Sequence, residues 1–182
     1  MSIVITGNPG VGKHTITQKI AERLNLSIID INEVAKSAGL FEKTENTNDV
    51  DTKKLDKILK DIISEKNIVV GHLAPYVLDK NQVKFMIVLR RNPYDLISVY
   101  KERKYTELKI KENAGSEVLG IIAHEAKSKF QEKSFQINTS GKNIQEEIEK
   151  IINIISSNEG NEEIDWLELI RQNNDFGKFF VD

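Results

Sequence analysis

Residues 3–15 read Ile-Val-Ile-Thr-Gly-Asn-Pro-Gly-Val-Gly-Lys-His-Thr. A short β-branched run enters a glycine-rich turn, which ends in Gly-Lys at the start of a helical pattern. This spacing suits the binding of phosphate groups. Gly7, Gly10 and Gly12 open backbone angles closed to other residues and keep side chains off the phosphates. The exposed backbone N–H groups then converge on anionic oxygens at a helix N-terminus. Lys13 adds a mobile positive charge for the β- and γ-phosphates of a nucleoside triphosphate. The position after such a lysine is commonly Ser or Thr, whose hydroxyl holds magnesium. Here it is His14, and the hydroxyl comes one place later at Thr15. His14 either hydrogen-bonds a phosphate or faces solvent from the first helical turn.

Little other chemistry is open to the chain. It has no cysteine, so no disulfide, thiol nucleophile or cysteine metal site. Its three histidines, His14, His72 and His124, lie far apart without ligand spacing, and no protein metal site is expected. A net charge of −2 over 182 residues gives no global pull toward nucleic acid or membrane. No apolar stretch reaches membrane-spanning length and the amino terminus enters a strand at once, so a cytoplasmic protein is expected.

The elements that must position the loop follow from periodicity. Ile16, Ile20 and Leu24 predict a helix over about 13–24. Residues 27–31 read as a strand, 33–38 as a short helix stopped by Gly39, and 41–50 as a long polar loop. Leu55, Ile58, Leu59, Ile62 and Ile63 stripe a further helix. Ile68-Val69-Val70 is a buried strand closed by Gly71-His72, and 85–89 is another. Asn92-Pro93 starts a helix, with Asn as cap and Pro at the first helical position. A charged break at 103–111 precedes one long helix striped from Ile110 to Phe130. Residues 134–137 form the last strand, and Ile144 to Ile155 stripe the last core helix behind Asn143. Strands alternating with helices predict an α/β fold, a parallel sheet with helices on both faces. An acidic-aromatic extension over 157–182, with an amphipathic helix near 164–171, follows the domain at 1–156. It either docks on its own domain or binds a partner.

With these pieces placed, the chain resembles the adenylate kinase isoenzyme 6 family, the CINAP-like nucleotide kinases. The resemblance runs over about 2–155. It rests on Gly7 to Lys13, whose continuation into Thr15 is like the adenylate kinase pattern Gly-x-Pro-Gly-x-Gly-Lys-Gly-Thr, and on Gly71-His72, Val88-Leu89-Arg90, and Arg103-Lys104-Tyr105 in place of the family's Arg-Gly-Tyr. Asn113, Glu117 and Gly141-Lys142 complete the set.

The resemblance implies a P-loop fold with five parallel strands in the order 2-3-1-4-5. It also implies a monophosphate cover near 30–50 and a short lid near 102–112. The implied activity is reversible transfer of the ATP γ-phosphoryl group to a nucleoside monophosphate, usually AMP, with Mg2+ held mainly through phosphates and water. A second implied role is ATPase-linked maturation of the small ribosomal subunit, through a platform ribosomal protein and weak or indirect contact with RNA. On this basis Lys13, His72 and Arg103 are the candidate catalytic residues. Gly10, Gly12, Lys13, His14, Thr15, Arg103 and Lys142 are the candidate nucleotide contacts. Arg90 either touches nucleotide or closes a structural ion pair.

Two positions depart from the family. Val70 stands where eukaryotic members carry an acidic residue, with Asp30 and Asp79 as candidate substitutes. Lys36 stands where adenylate kinases place a monophosphate-clamping arginine, and a lysine cannot make the bidentate clamp.

Overall fold

The computed structural model describes residues 1–43, 48–141 and 143–180. The elements in chain order are β1 Ser2–Thr6, α1 Lys13–Leu24, β2 Ser27–Asp30, α2 Ile31–Ser37, β3 Phe41–Lys43, β4 Asn48–Val50, α3 Thr52–Ile62, β5 Asn67–Val70 and α4 Ala74–Val77. They continue as β6 Val83–Arg90, α5 Pro93–Glu102, α6 Glu107–Leu119, α7 Ile121–Phe130, a 3-10 turn at Gln131–Lys133, β7 Ser134–Asn138, α8 Ile144–Ser157, α9 Trp166–Asn173 and α10 Phe176–Phe179.

Five strands form one parallel sheet in the order β2-β5-β1-β6-β7. With the separate β3-β4 pair set aside, this is the order 2-3-1-4-5. Side chains alternate across the strands. Ile3, Ile5, Ile68, Phe85, Ile87 and Leu89 pack against α1, α5, α6 and α8. Val4, Val69, Met86 and Val88 face the other way, onto residues of α2, α3, α4 and α7. Because both faces are covered, the strands read as continuous apolar runs rather than as alternation. The carboxyl ends of β1, β5 and β6 open at one edge, where ligands bind in sheets of this kind.

Three expectations are corrected. The expected loop at 41–50 holds two strands: β3 and β4 pair antiparallel, Phe41 opposite Val50, while 44–47 lie outside the described residues. The expected helix from Ile110 to Phe130 is two helices, broken at Gly120 (φ 64°), which ends α6 and starts α7. A Cβ on Gly120 would lie 3.2 Å from Arg90 Nη1, so the bend lets the helix pass over the buried guanidinium. The break after α5 is also shorter than 103–111, since α6 begins at Glu107, capped by the Thr106 hydroxyl, which accepts from the Lys109 N–H.

Lys104, in that short break, holds φ 57° without being glycine. A side chain in this region costs about 1–2 kcal/mol, partly offset by the extra freedom that glycine brings to the unfolded chain. Lys104→Gly is therefore expected to raise stability by about 0.5–1 kcal/mol in urea unfolding. No gain would mean that the turn is not strained.

The C-terminal segment is seated on the domain. Gln136 N–H donates to Asn161 Oδ1 (2.9 Å), Glu162 N–H to the Gln136 carbonyl (3.0 Å), and Asn138 N–H to Glu162 Oε2 (2.6 Å). Those bonds cover the open edge of β7. Further on, Ile170 and Phe179 are buried, and Phe179 meets Tyr94 edge-on with ring centroids 5.2 Å apart.

Candidate phosphate-binding site

The loop between β1 and α1 is tethered through its carbonyls. Asn8 O accepts from Lys13 Nζ (3.2 Å), Pro9 O from the Tyr100 hydroxyl (2.7 Å) and Gly10 O from Arg91 Nη1 (3.1 Å). Val11 O accepts from the Thr139 hydroxyl (3.2 Å), and Gly12 O from Ile16 N–H (3.1 Å). Five successive carbonyls thus point into protein. Among the described residues, no acceptor takes the N–H groups of Gly10, Val11 or Gly12. With the unpaired first turn of α1, these donors make an anion-binding concavity.

Gly7 is required by close approach as well as by φ 140°: a Cβ there would lie 2.4 Å from the Leu89 carbonyl oxygen. Gly10 and Gly12 hold φ 85° and 94°.

The loop forms one wall of a cleft of about 1520 Å³. Gly10, Gly12, Lys13, His14, Thr15, His72 and Arg103 all line it. Lys142 lies outside the described residues. Lys13 is buried, and its ammonium is pushed down to about 8, chiefly by burial and next by the Arg103 charge, with Asp30 opposing. His72 is brought beside it because Thr6 Oγ1–H donates to the Gly71 carbonyl (2.8 Å) and Gly71 N–H to the Ile5 carbonyl (3.2 Å), which ties the end of β5 to β1. Burial first, then the Lys13 charge, holds the His72 imidazole below its ordinary pKa, so it is neutral at pH 7. Gly71 admits no side chain, since a Cβ would lie 2.8 Å from that of Ile31.

The remaining candidates separate clearly. Asp30 caps α2 through Oδ1, which accepts from the Asn32 N–H, while Oδ2 lies 3.3 Å from His14 Nδ1. It therefore sits behind the cleft wall, in contact with His14, without lining the cleft itself. Asp79 does not line the cleft; it pairs with Lys60 at 2.8 Å. Lys36 is exposed on α2, away from the cleft lining. Arg90 closes a structural ion pair: Nε donates to Glu117 Oε1 (2.7 Å), Nη1 to Gln136 Oε1 (2.7 Å) and Nη2 to the Glu117 carbonyl (2.8 Å).

Sequence reasoning missed the tethering by Tyr100, Arg91 and Thr139; Tyr105 entered only as part of the family motif, without the stacking of its ring on Tyr100 at 5.5 Å. Nothing in local periodicity marks them; each is defined by a contact 81 or more residues away, or by a ring face.

The fold and the loop define a P-loop nucleotide-binding domain. Residues 3–120 match the AAA domain family. A Methanosarcina barkeri protein named "Putative adenylate kinase" is 35% identical over 189 residues, covering 93% of this chain and 100% of its own. A Saccharolobus solfataricus protein of the same name is 30% identical over 156 residues, covering 84% of this chain and 82% of its own. The chain belongs to this archaeal family of AAA-domain, P-loop proteins. A shikimate kinase from Acinetobacter baumannii, solved with shikimate, shares the fold, with a TM-score of 0.60 at 19% identity over 87% of this chain and 94% of its own. No helix among the described residues is long and apolar enough to cross a membrane.

Proposed function

We propose that the protein is a nucleoside monophosphate kinase that moves the ATP γ-phosphoryl group to a monophosphate, with AMP the favoured acceptor. The observation that carries this is the tethered loop opening on a large cleft. Single-ligand pockets run to about 300–1000 Å³. At about 1520 Å³ the cleft has room for a donor and an acceptor nucleotide together. The names of the archaeal relatives support the same reading.

The chemistry asks mainly for positioning and charge. The bond from the γ-phosphorus to the bridging oxygen of ADP breaks, and one forms to an oxygen of the acceptor phosphate. That oxygen is already anionic, so no general base is needed. An apolar strand end at Val70, 1% exposed, is compatible with such an acceptor. Lys13 neutralises the transferring phosphates, Arg103 adds charge from the lid side, and neutral His72 orients a polar group or water. Lid and cover, near 102–112 and 30–50, close over donor and acceptor.

Magnesium fits this donor set only sparsely. Thr15, in the cleft wall, would be the chain's own contribution to its water shell, and phosphates and water would supply the rest. Among the described residues, no cluster of three or more acidic or histidine side chains is formed. When bound, the ion would supply charge neutralisation on the triphosphate.

A coupled assay tests the reading: ADP formation from ATP is expected to rise at least tenfold when AMP is added. Indifference to AMP would favour the second reading, an ATP-hydrolysing assembly factor for the small ribosomal subunit. One observation supports that alternative, the position of Lys36 outside the cleft. Its partner would be a basic platform ribosomal protein, matched to the net charge of −2, with only weak contact to RNA.

A further inference from the structure

The C-terminal segment reaches the phosphate loop through one buried carboxylate. Glu117, on α6, is fully buried. Its Oε1 accepts from Arg90 Nε (2.7 Å), from Arg91 N–H (3.1 Å) and from Trp166 Nε1–H (3.0 Å). Its Oε2 accepts from Asn8 Nδ2 (2.7 Å). Asn8 is the second residue of the loop. Its Oδ1 takes the Ser116 hydroxyl (3.2 Å), and its carbonyl is the group that Lys13 Nζ touches (3.2 Å). A continuous path of hydrogen bonds thus runs from Trp166 through Glu117 and Asn8 to the phosphate lysine.

We propose that the C-terminal segment is a working part of the nucleotide site, with Trp166 a positioning residue that sets the phosphate loop through Glu117 and Asn8. The inference rests on the loop binding ATP, as proposed above.

Three donors on Oε1 fix the rotation of the carboxylate, and that rotation aims Oε2 at Asn8. Removing the indole N–H leaves Oε1 with the Arg90 and Arg91 donors alone, which loosens the aim of Oε2 at Asn8. Trp166 does not line the cleft, so any effect on nucleotide must travel through this path. The segment is also firmly registered. It is pinned at Asn161 and Glu162 along β7, and at Asp175, whose Oδ2 accepts from the Tyr94 hydroxyl (2.8 Å). Phe179 lies so close to α6 that a Cβ on Gly115 would meet its carbonyl oxygen at 2.8 Å. Coupling of this kind is reciprocal: if the segment shapes the loop, ATP must tighten the segment.

The test is calorimetric ATP binding by the full chain as wild type, Trp166→Phe, Asn8→Ala and the double variant. Trp166→Phe keeps an aromatic ring while removing the donor and one of the two fused rings. It is expected to weaken ATP binding about three- to tenfold with an unchanged far-ultraviolet spectrum. The double variant is expected to be no weaker than Asn8→Ala alone, because both act through Glu117. Hydrogen exchange in α9 and α10 should slow on adding ATP to the wild type. Should Trp166→Phe fail to fold, Gly115→Ala disturbs the same docking from its other end and is expected to weaken ATP binding as well. Wild-type affinity in a folded Trp166→Phe, or additive effects in the double variant, would overturn the proposal alone. A wild type that does not bind ATP would overturn the reading of the loop along with it.

Discussion

Lys13→Met is expected to weaken ATP binding at least tenfold while making the nucleotide-free protein more stable. The loss of affinity follows from removing the only lysine of the loop, and tenfold corresponds to about 1.4 kcal/mol. The gain in stability follows from the site itself. In the free protein the ammonium is buried beside Arg103, which holds its pKa at about 8 instead of the usual 10.5. A lowered pKa means that the folded state binds this proton less well than the unfolded state does. Each unit is worth about 1.4 kcal/mol, so keeping the charge at pH 7 costs about 3 kcal/mol. The lost contact to the Asn8 carbonyl returns about 1 kcal/mol. A net gain of about 1–3 kcal/mol is therefore expected in urea unfolding without nucleotide.

The sign with pH is equally definite. Between about 8 and 10.5 the unfolded chain holds a proton on Lys13 that the folded chain has released, so this residue makes stability rise across that window. The variant should lack the rise. A destabilised variant would show that the ammonium is well satisfied in the free loop.

His72→Ala is expected to lower turnover by about one to three orders of magnitude and to change ATP affinity little. Its imidazole lines the cleft beyond the end of β5 and is held neutral by burial and by Lys13. Because its pKa lies below the ordinary histidine value, the wild-type rate should hold at neutral pH and fall on the acid side, where the ring takes up a proton. The variant should lose that acid limb. Wild-type turnover with the limb intact would assign His72 to structure.

Much of this site is legible in the sequence because its parts are local. Gly7, Gly10, Gly12 and Lys13 declare themselves by spacing, and the apolar runs before and after them give the strand and helix that hold the loop. The sheet order came from resemblance rather than from periodicity, which cannot rank strands.

What stayed hidden depends on distance in the chain. Glu117 gathers Asn8, Arg90 and Trp166, residues 109, 27 and 49 positions away. No spacing rule connects them. Gly120 sits inside an unbroken apolar stripe, so the break between α6 and α7 cannot be seen in the pattern; it is set by the Arg90 guanidinium beneath it. The β3-β4 pair has strands of three residues each, too short for alternation to register. Asp30 and Asp79 look equivalent as candidate carboxylates, and only the fold sends one to His14 in the cleft wall and the other to Lys60.

The most direct test of the central claim follows the phosphoryl group itself. The protein is mixed with ATP labelled at the γ-phosphate and with AMP, and the products are separated after a single turnover. Transfer within the cleft predicts that the label appears in ADP at the β-position, with little free phosphate. Label released as inorganic phosphate at the same rate with or without AMP would contradict it.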